Sequence, residues 1–268
     1  MSALLIFFLM CGMSLLSMSC APQSPSQLIT NDKVVQTAEL SKLIEKINAS
    51  AQEFQNVRGR LLFGYQASPQ TAIRNLDGSL IFQKPDSLLL KTFTEVTPHQ
   101  FSLITKDDKF WFYFPSRSMI YTGKYAVLLD QDKFDIGFHP GDVLKSIYVA
   151  PIESEHVTMD SEDEYYVITV ENQKGVTQRR LHISKRGLLV TREYYFNESG
   201  ITELEILRNE YMQQGSVHFA QNISARRLPE DYRFYLTFYK ALLNSDTIQS
   251  KDFQFNAPKE TTLETITE

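Results

Sequence analysis

Phe234-Tyr235-Leu236-Thr237-Phe238-Tyr239 is the stretch that decides the fold. Side chains alternate along an extended chain, so Phe234, Leu236 and Phe238 fall on one side and Tyr235, Thr237 and Tyr239 on the other. An apolar face backed by a wetter one is the pattern of an antiparallel sheet with one covered side. The period of two recurs in both directions. Glu203-Leu204-Glu205-Ile206 alternates within a run at 202–211, and 217–226 follows it. Further strand-like runs occupy 59–65, 78–83, 87–93, 101–105, 110–114, 119–122 and 125–129, then 165–170, 178–184 and 188–196. Turn chemistry separates many of them: Lys106-Asp107-Asp108, Asn75-Leu76-Asp77-Gly78, Lys185-Arg186-Gly187 and Asn197-Glu198-Ser199-Gly200. Short links and an order that never leaves strand periodicity for long predict a mainly β (α+β) fold. A single curved antiparallel sheet of about ten to eleven strands curls into an incomplete barrel to protect its edges.

Two segments break the period. Over 37–55, Leu40, Leu43, Ile44, Ile47, Ala51 and Phe54 recur at three- and four-residue steps, while Glu39, Lys42, Glu45, Lys46 and Glu53 take much of the remaining surface. That spacing predicts an amphipathic helix. Midway through the strands, His139-Pro140-Gly141-Asp142 precedes Val143-Leu144-Lys145-Ser146-Ile147-Tyr148. Asp142 reads as an N-cap, Val143, Leu144 and Ile147 share one face, and Pro151 closes a short inserted helix.

The N-terminus is an uncharged apolar run, 3–16, that leads into Leu16-Ser17-Met18-Ser19-Cys20-Ala21. A membrane span needs roughly 20 residues, so the run suits the apolar region of a secretory signal. The small Ser19 before Cys20 makes the segment resemble a bacterial lipoprotein signal, in which Cys20 becomes the first mature residue and carries the lipid. Cys11 is the weaker candidate, because the bulky Met10 precedes it. The segment departs from that pattern in Ser17, where leucine is usual, and in having no Lys or Arg before the apolar run. Residues 1–19 are thus read as signal, 20–34 (with Pro22, Pro25, several Ser and Gln) as a flexible tether, and 35–268 as one domain. A mature chain with Cys20 lipidated has no internal disulfide and must rest on its core. Roughly 230 residues suffice for one. A net charge of -5 points to neither nucleic acid nor an anionic membrane surface, and 18 Phe and 13 Tyr suit strands and apolar walls.

Three blocks carry a wider resemblance. Gly78-Ser79-Leu80-Ile81-Phe82-Gln83-Lys84-Pro85-Asp86, Phe110-Trp111-Phe112-Tyr113-Phe114-Pro115 and Phe253-Gln254-Phe255-Asn256-Ala257-Pro258, together with the leading helix, resemble the bacterial outer-membrane lipoprotein carriers, the LolA/LolB-like proteins. The resemblance covers about residues 37–263 and rests on the order and spacing of the blocks. It implies an incomplete barrel with helices across its open face as a lid, and an apolar cavity beneath that shields acyl chains. Each buried methylene is worth about 0.8 kcal/mol. On this resemblance Leu43, Ile47, Ile81, Leu88, Leu90, Leu103, Phe112 and Phe114 line the cavity, and Val143, Leu144 and Ile147 form the lid's apolar face. Lys84 stands where the soluble carriers place an arginine that holds the lid shut; lysine keeps the charge without the planar head. Ile81, Leu88 and Leu90 read equally as ordinary sheet core, and Lys84 as a surface lysine.

No motif indicates catalysis or a cofactor. His99, His139, His156, His182 and His218 lack metal-ligand spacing and read as solvent-facing, and Asp130-x-Asp132 lacks the rest of a calcium loop. Thr122-Gly123-Lys124 has no preceding glycine-rich loop, and 160–164 reads as a solvated hairpin approach. The expected partners are acyl chains of lipoproteins or other lipids, a membrane reached through the lipid anchor, and a donor or acceptor protein of a sorting route. Ala21 after the cysteine favours the outer membrane facing the periplasm. An envelope-stress sensor that binds lipid and a partner protein, and a structural lipoprotein with a filled core, remain alternatives.

Overall fold

The computed structural model describes residues 26–95, 99–130, 138–153 and 155–267. Cys20 and the 1–19 signal lie outside the described residues. The first helix, α1, runs Ser26–Glu53 and so extends back into the stretch read as tether. The chain divides within it into two units, Met1–Ala38 and Glu39–Glu268, and the whole sheet belongs to the second.

Six strands follow α1: β1 Asn56–Gln66, β2 Arg74–Gln83, β3 Ser87–Phe93, β4 Phe101–Lys106, β5 Lys109–Phe114 and β6 Met119–Lys124. Two short helices come next, α2 Tyr125–Asp130 and α3 Pro140–Ile147. Then come β7 Val157–Ser161, β8 Tyr165–Glu171, β9 Thr177–Ser184, β10 Val190–Phe196, β11 Thr202–Gln214, β12 Val217–Arg227 and β13 Tyr232–Leu243, with β14 Thr262–Thr265 last. All join one curved, non-closed sheet in the order β14-β6-β5-β4-β3-β2-β1-β13-β12-β11-β10-β9-β8-β7. Every pairing is antiparallel except β14 against β6, which is parallel. The count is 14 strands, above the expected ten to eleven.

The order explains the helices. β6 lies beside one edge of the sheet and β7 forms the other, so the chain between them must cross the sheet. It crosses on one face: Leu128, Phe138, Val143, Leu144 and Ile147 pack with Leu61, Phe63, Leu80, Leu90, Phe112 and Phe234 in the main core. Residues 40–53 of α1, with Phe54 just after it, cover the same face further along. Leu43 and Ile47 join Ile152, Ile168, Leu181, Ile183 and Val190, and Asn48 fastens the crossover by bonding both the N–H (2.8 Å) and the carbonyl (3.0 Å) of Ile152.

Several sequence expectations are corrected. Residues 125–129 are helical (α2), not a strand; Tyr-Ala-Val-Leu-Leu is a continuous apolar run whose period is ambiguous. Asn75-Leu76-Asp77-Gly78 lies inside β2, because Leu76 and Gly78 continue the buried phase of Leu80 and Phe82. Residues 253–258 are not a strand. Phe253 ends a 3-10 turn and is buried on the outer face of the sheet with Leu89 and Ile104, and Ile81, Trp111 and Phe255 pack beside them. The Lys106–Lys109 hairpin turns on Asp107 and Asp108 (φ 50° and 60°), the left-handed pair of a two-residue turn.

Candidate functional site

Under the helices the inner face is uneven. Below α2 and α3, rings fill it: Phe63 meets Phe101 (centroids 5.6 Å) and Phe138 (5.3 Å), Phe101 meets Phe112 (5.4 Å), and Phe112 meets Phe114 (4.4 Å). Phe54, at the end of α1, stacks on Phe82 at 6.1 Å and on Phe219 at 5.9 Å. Beyond Phe54 the packing opens into a cavity of about 270 Å³. Its roof is α1 from Lys46 to Glu53 with Phe54 after it, its end is Ile147-Tyr148-Val149, and its floor is Val190, Arg208, Tyr211, Phe219 and Ala220. Lys46, Glu53 and His218 are the other charged or titratable groups on its wall.

Buried charges hold the cavity's far end. Glu193 on β10 is fully buried between Arg179 on β9 and Arg208 on β11. Arg208 Nη1 lies 2.7 Å from the Glu193 carboxylate, and its Nη2 donates to the carbonyls of Ser146 (3.3 Å) and Tyr148 (3.4 Å) at the end of α3. Arg179 donates to Glu193 and to the Pro151 carbonyl (3.2 Å), and Tyr195 Oη donates to Glu193 (2.8 Å). Burial pushes the Glu193 carboxyl up, but the two guanidiniums outweigh it and hold it below the ordinary carboxylate range. Burial raises Tyr211 to about 12, and its hydroxyl donates to the Val190 carbonyl.

A second group grips the start of α3. Its N-cap is His139, with Pro140 in the first turn, so Asp142 is not the cap. Asp142 is buried and receives Arg227 Nη1 (3.1 and 3.3 Å) and the Tyr232 hydroxyl, while the His139 N–H donates to Tyr232 Oη (2.9 Å). His139 is itself buried and stacks on Tyr232 at 6.0 Å, against the solvent-facing reading. The α3 segment is therefore tied to the sheet at both ends by ions withdrawn from water.

No protein-family model and no curated protein matches the chain. Solved structures do. A protein described as an outer membrane lipoprotein-sorting domain, from Vibrio parahaemolyticus, superposes with a TM-score of 0.55 at 10% identity over 79% of this chain and 94% of its own. A LolA superfamily protein from Nitrosomonas europaea gives 0.55 at 13% identity over 80% and 97%. A DUF1329 family protein from Desulfovibrio piger gives 0.55 at 11% over 80% and 98%. The chain has a LolA-like fold.

In this LolA-like sheet the sequence-selected residues separate into three groups. Ile47 and Ile147 reach the cavity wall. Leu88, Leu90, Leu103 and Phe112 are buried in the ring-filled part of the inner face, Phe114 beside them lines a second pocket with Tyr65, Leu76 and Phe101, and Leu43 belongs to the cluster under α1. Ile81 points the other way, packing on the outer face, because β2 places Leu80 and Phe82 inward and the intervening residue outward. Val143 and Leu144 pack into the core from α3. Lys84 does not reach α3 itself. Its Nζ donates to the Ala51 carbonyl in the last turn of α1 and lies 5.6 Å from the centroid of the Tyr148 ring, and burial lowers its pKa. Sequence reasoning passed over Arg179, Glu193 and Arg208. Each sits in the buried phase of its strand, Arg179 with Leu181 and Ile183, Arg208 with Leu204 and Ile206. A charge in that phase was the available signal.

Proposed function

We propose that this protein is a lipid-anchored envelope protein that holds an acyl chain of a lipoprotein or related lipid between α1 and strands β10–β12. The observation that carries the proposal is the cavity itself, roofed by Ile47, Ala51 and Phe54 and floored by Phe219 and Ala220. The LolA-like fold supports it, and so does the sorting role named for the Vibrio protein. Cys20 bears the lipid, residues 20–25 lead to the folded chain, and the outer membrane facing the periplasm is the site of action. Donor or acceptor proteins of a sorting route are the partners, and no step requires catalysis. The ring-filled core beneath α2 and α3 is what a purely structural protein would show; the cavity beyond Phe54 is not.

Binding of a fluorescent acyl probe to the full chain in CHAPS, a detergent without an acyl chain, tests this. Ala220→Trp fills the floor and should abolish binding. Leu90→Ala, in the packed half, should lower stability by about 2–5 kcal/mol yet leave binding intact. A probe bound equally by wild type and Ala220→Trp would place the lipid elsewhere, and no binding at all would contradict the proposal.

A further inference from the structure

The cavity wall carries more positive charge than its surroundings neutralise. Arg208 (2% exposed) lines the cavity, and Arg179 (8%) lies behind it. Both pair with Glu193, and among the described residues no other carboxylate forms an ion pair with either. Two guanidiniums against one carboxylate leave a buried group with one net positive charge. Donors are also left over. Arg208 Nη2 is taken by the α3 carbonyls, and Nη1 lies 2.7 Å from Glu193 Oε2 as an ion pair without hydrogen-bond geometry, but the buried Nε has no hydrogen-bond acceptor, and neither has Arg179 Nη2. The nearby Tyr195 and Tyr211 hydroxyls, which donate to Glu193 and to the Val190 carbonyl, accept no hydrogen bond from Arg208 Nε or Arg179 Nη2. A buried cation in excess, with an unsatisfied donor on a residue that lines the cavity, is complementary to an anionic oxygen and is costly without one.

We propose that the cavity takes a single acyl chain bearing an anionic head, carboxylate or phosphate, with the head turned inward against Arg208 and the chain running under α1. The proposal rests on the acyl-chain reading above and narrows its ligand class. Volume agrees: about 270 Å³ lies just below small-ligand sites, which span roughly 300–1,000 Å³, and suits one chain better than several.

The full chain in CHAPS, loaded with the fluorescent acyl probe, is titrated with hexadecanoate, hexadecyl phosphate and methyl hexadecanoate at pH 8. At least one anion should displace the probe at about a tenfold lower concentration than the ester. Which anion does so identifies the source as a free acid or a phosphate lipid. Arg208→Gln leaves Arg179 and Glu193 balanced and should erase the preference, whereas Arg208→Lys should keep part of it. If Arg208→Gln fails to fold, Glu193→Gln supplies the opposite test, since it adds a net positive charge and should widen the gap. Equal displacement by all three compounds would overturn the charged-head inference while leaving acyl binding intact. A probe that does not bind at all would overturn the acyl-chain reading itself.

Discussion

Glu193 is the residue on which the polar half of the inner face depends. Replacing it with Gln leaves Arg179 and Arg208 buried without a counter-ion, and breaking a buried pair from one side costs about 3–5 kcal/mol. Urea unfolding at pH 7 should show that loss. The pH dependence follows from the sign of the shift. The carboxyl's folded-state pKa lies below its usual 4.5, so its contribution is complete above that value and is lost as pH falls through the lower folded value. Wild-type stability should fall in that acid window, and Glu193→Gln should remove that part of the fall. An unchanged acid limb in the variant would mean that Glu193 is not held ionised by the arginines. The same residue shows what a sequence conceals. Strand alternation located the strand that contains Glu193, but a charge in the buried phase is interpretable only when its partners, 14 and 15 residues away in the chain, are seen beside it.

At the scale of elements, α3 is the test case. The sequence marked its apolar face correctly, and Val143, Leu144 and Ile147 are all buried. It misassigned Asp142, since an acidic residue near a helix start satisfies the N-cap pattern, whereas here Arg227 and Tyr232 claim the side chain. Arg227→Ala should therefore cost about 3–5 kcal/mol and speed hydrogen exchange in α3 far more than in β1–β5. Uniform acceleration across both regions would show that α3 is not separately held. Other elements were legible in proportion to their pattern. The apolar run at 87–93 was found to the residue, and the alternating run at 202–211 stops three residues short of the strand's end at Gln214. β7 and β14 were missed, because each is a short edge strand whose mostly exposed residues give no period to read. The strap at 253–258 resembled the carriers' C-terminal strand, yet Phe253 and Phe255 bury against the outer face of β3 to β5.

At the scale of the molecule, topology turns a meander into a container. Placing β6 and β7 near opposite edges obliges the connection between them to cross the inner face, and α1 covers the rest. The sequence revealed this plan through periodicity and the carrier-like blocks, and of the residues it named, Ile47 and Ile147 line the space beyond Phe54 while Phe114 lines a second space beside Tyr65 and Phe101. Rings of β1–β5 pack against Phe138 beneath α3, and beyond Phe54, where Ala51 and Ala220 are small, the packing opens. Small residues at facing positions leave room that no single-strand pattern reveals. The most direct test is native mass spectrometry of the full chain extracted from bacterial membranes in CHAPS. The wild type should carry one non-covalent lipid, released as a single-chain species, and Ala220→Trp should carry none. A wild type free of non-covalent lipid, or an Ala220→Trp variant that retains it, would contradict the account.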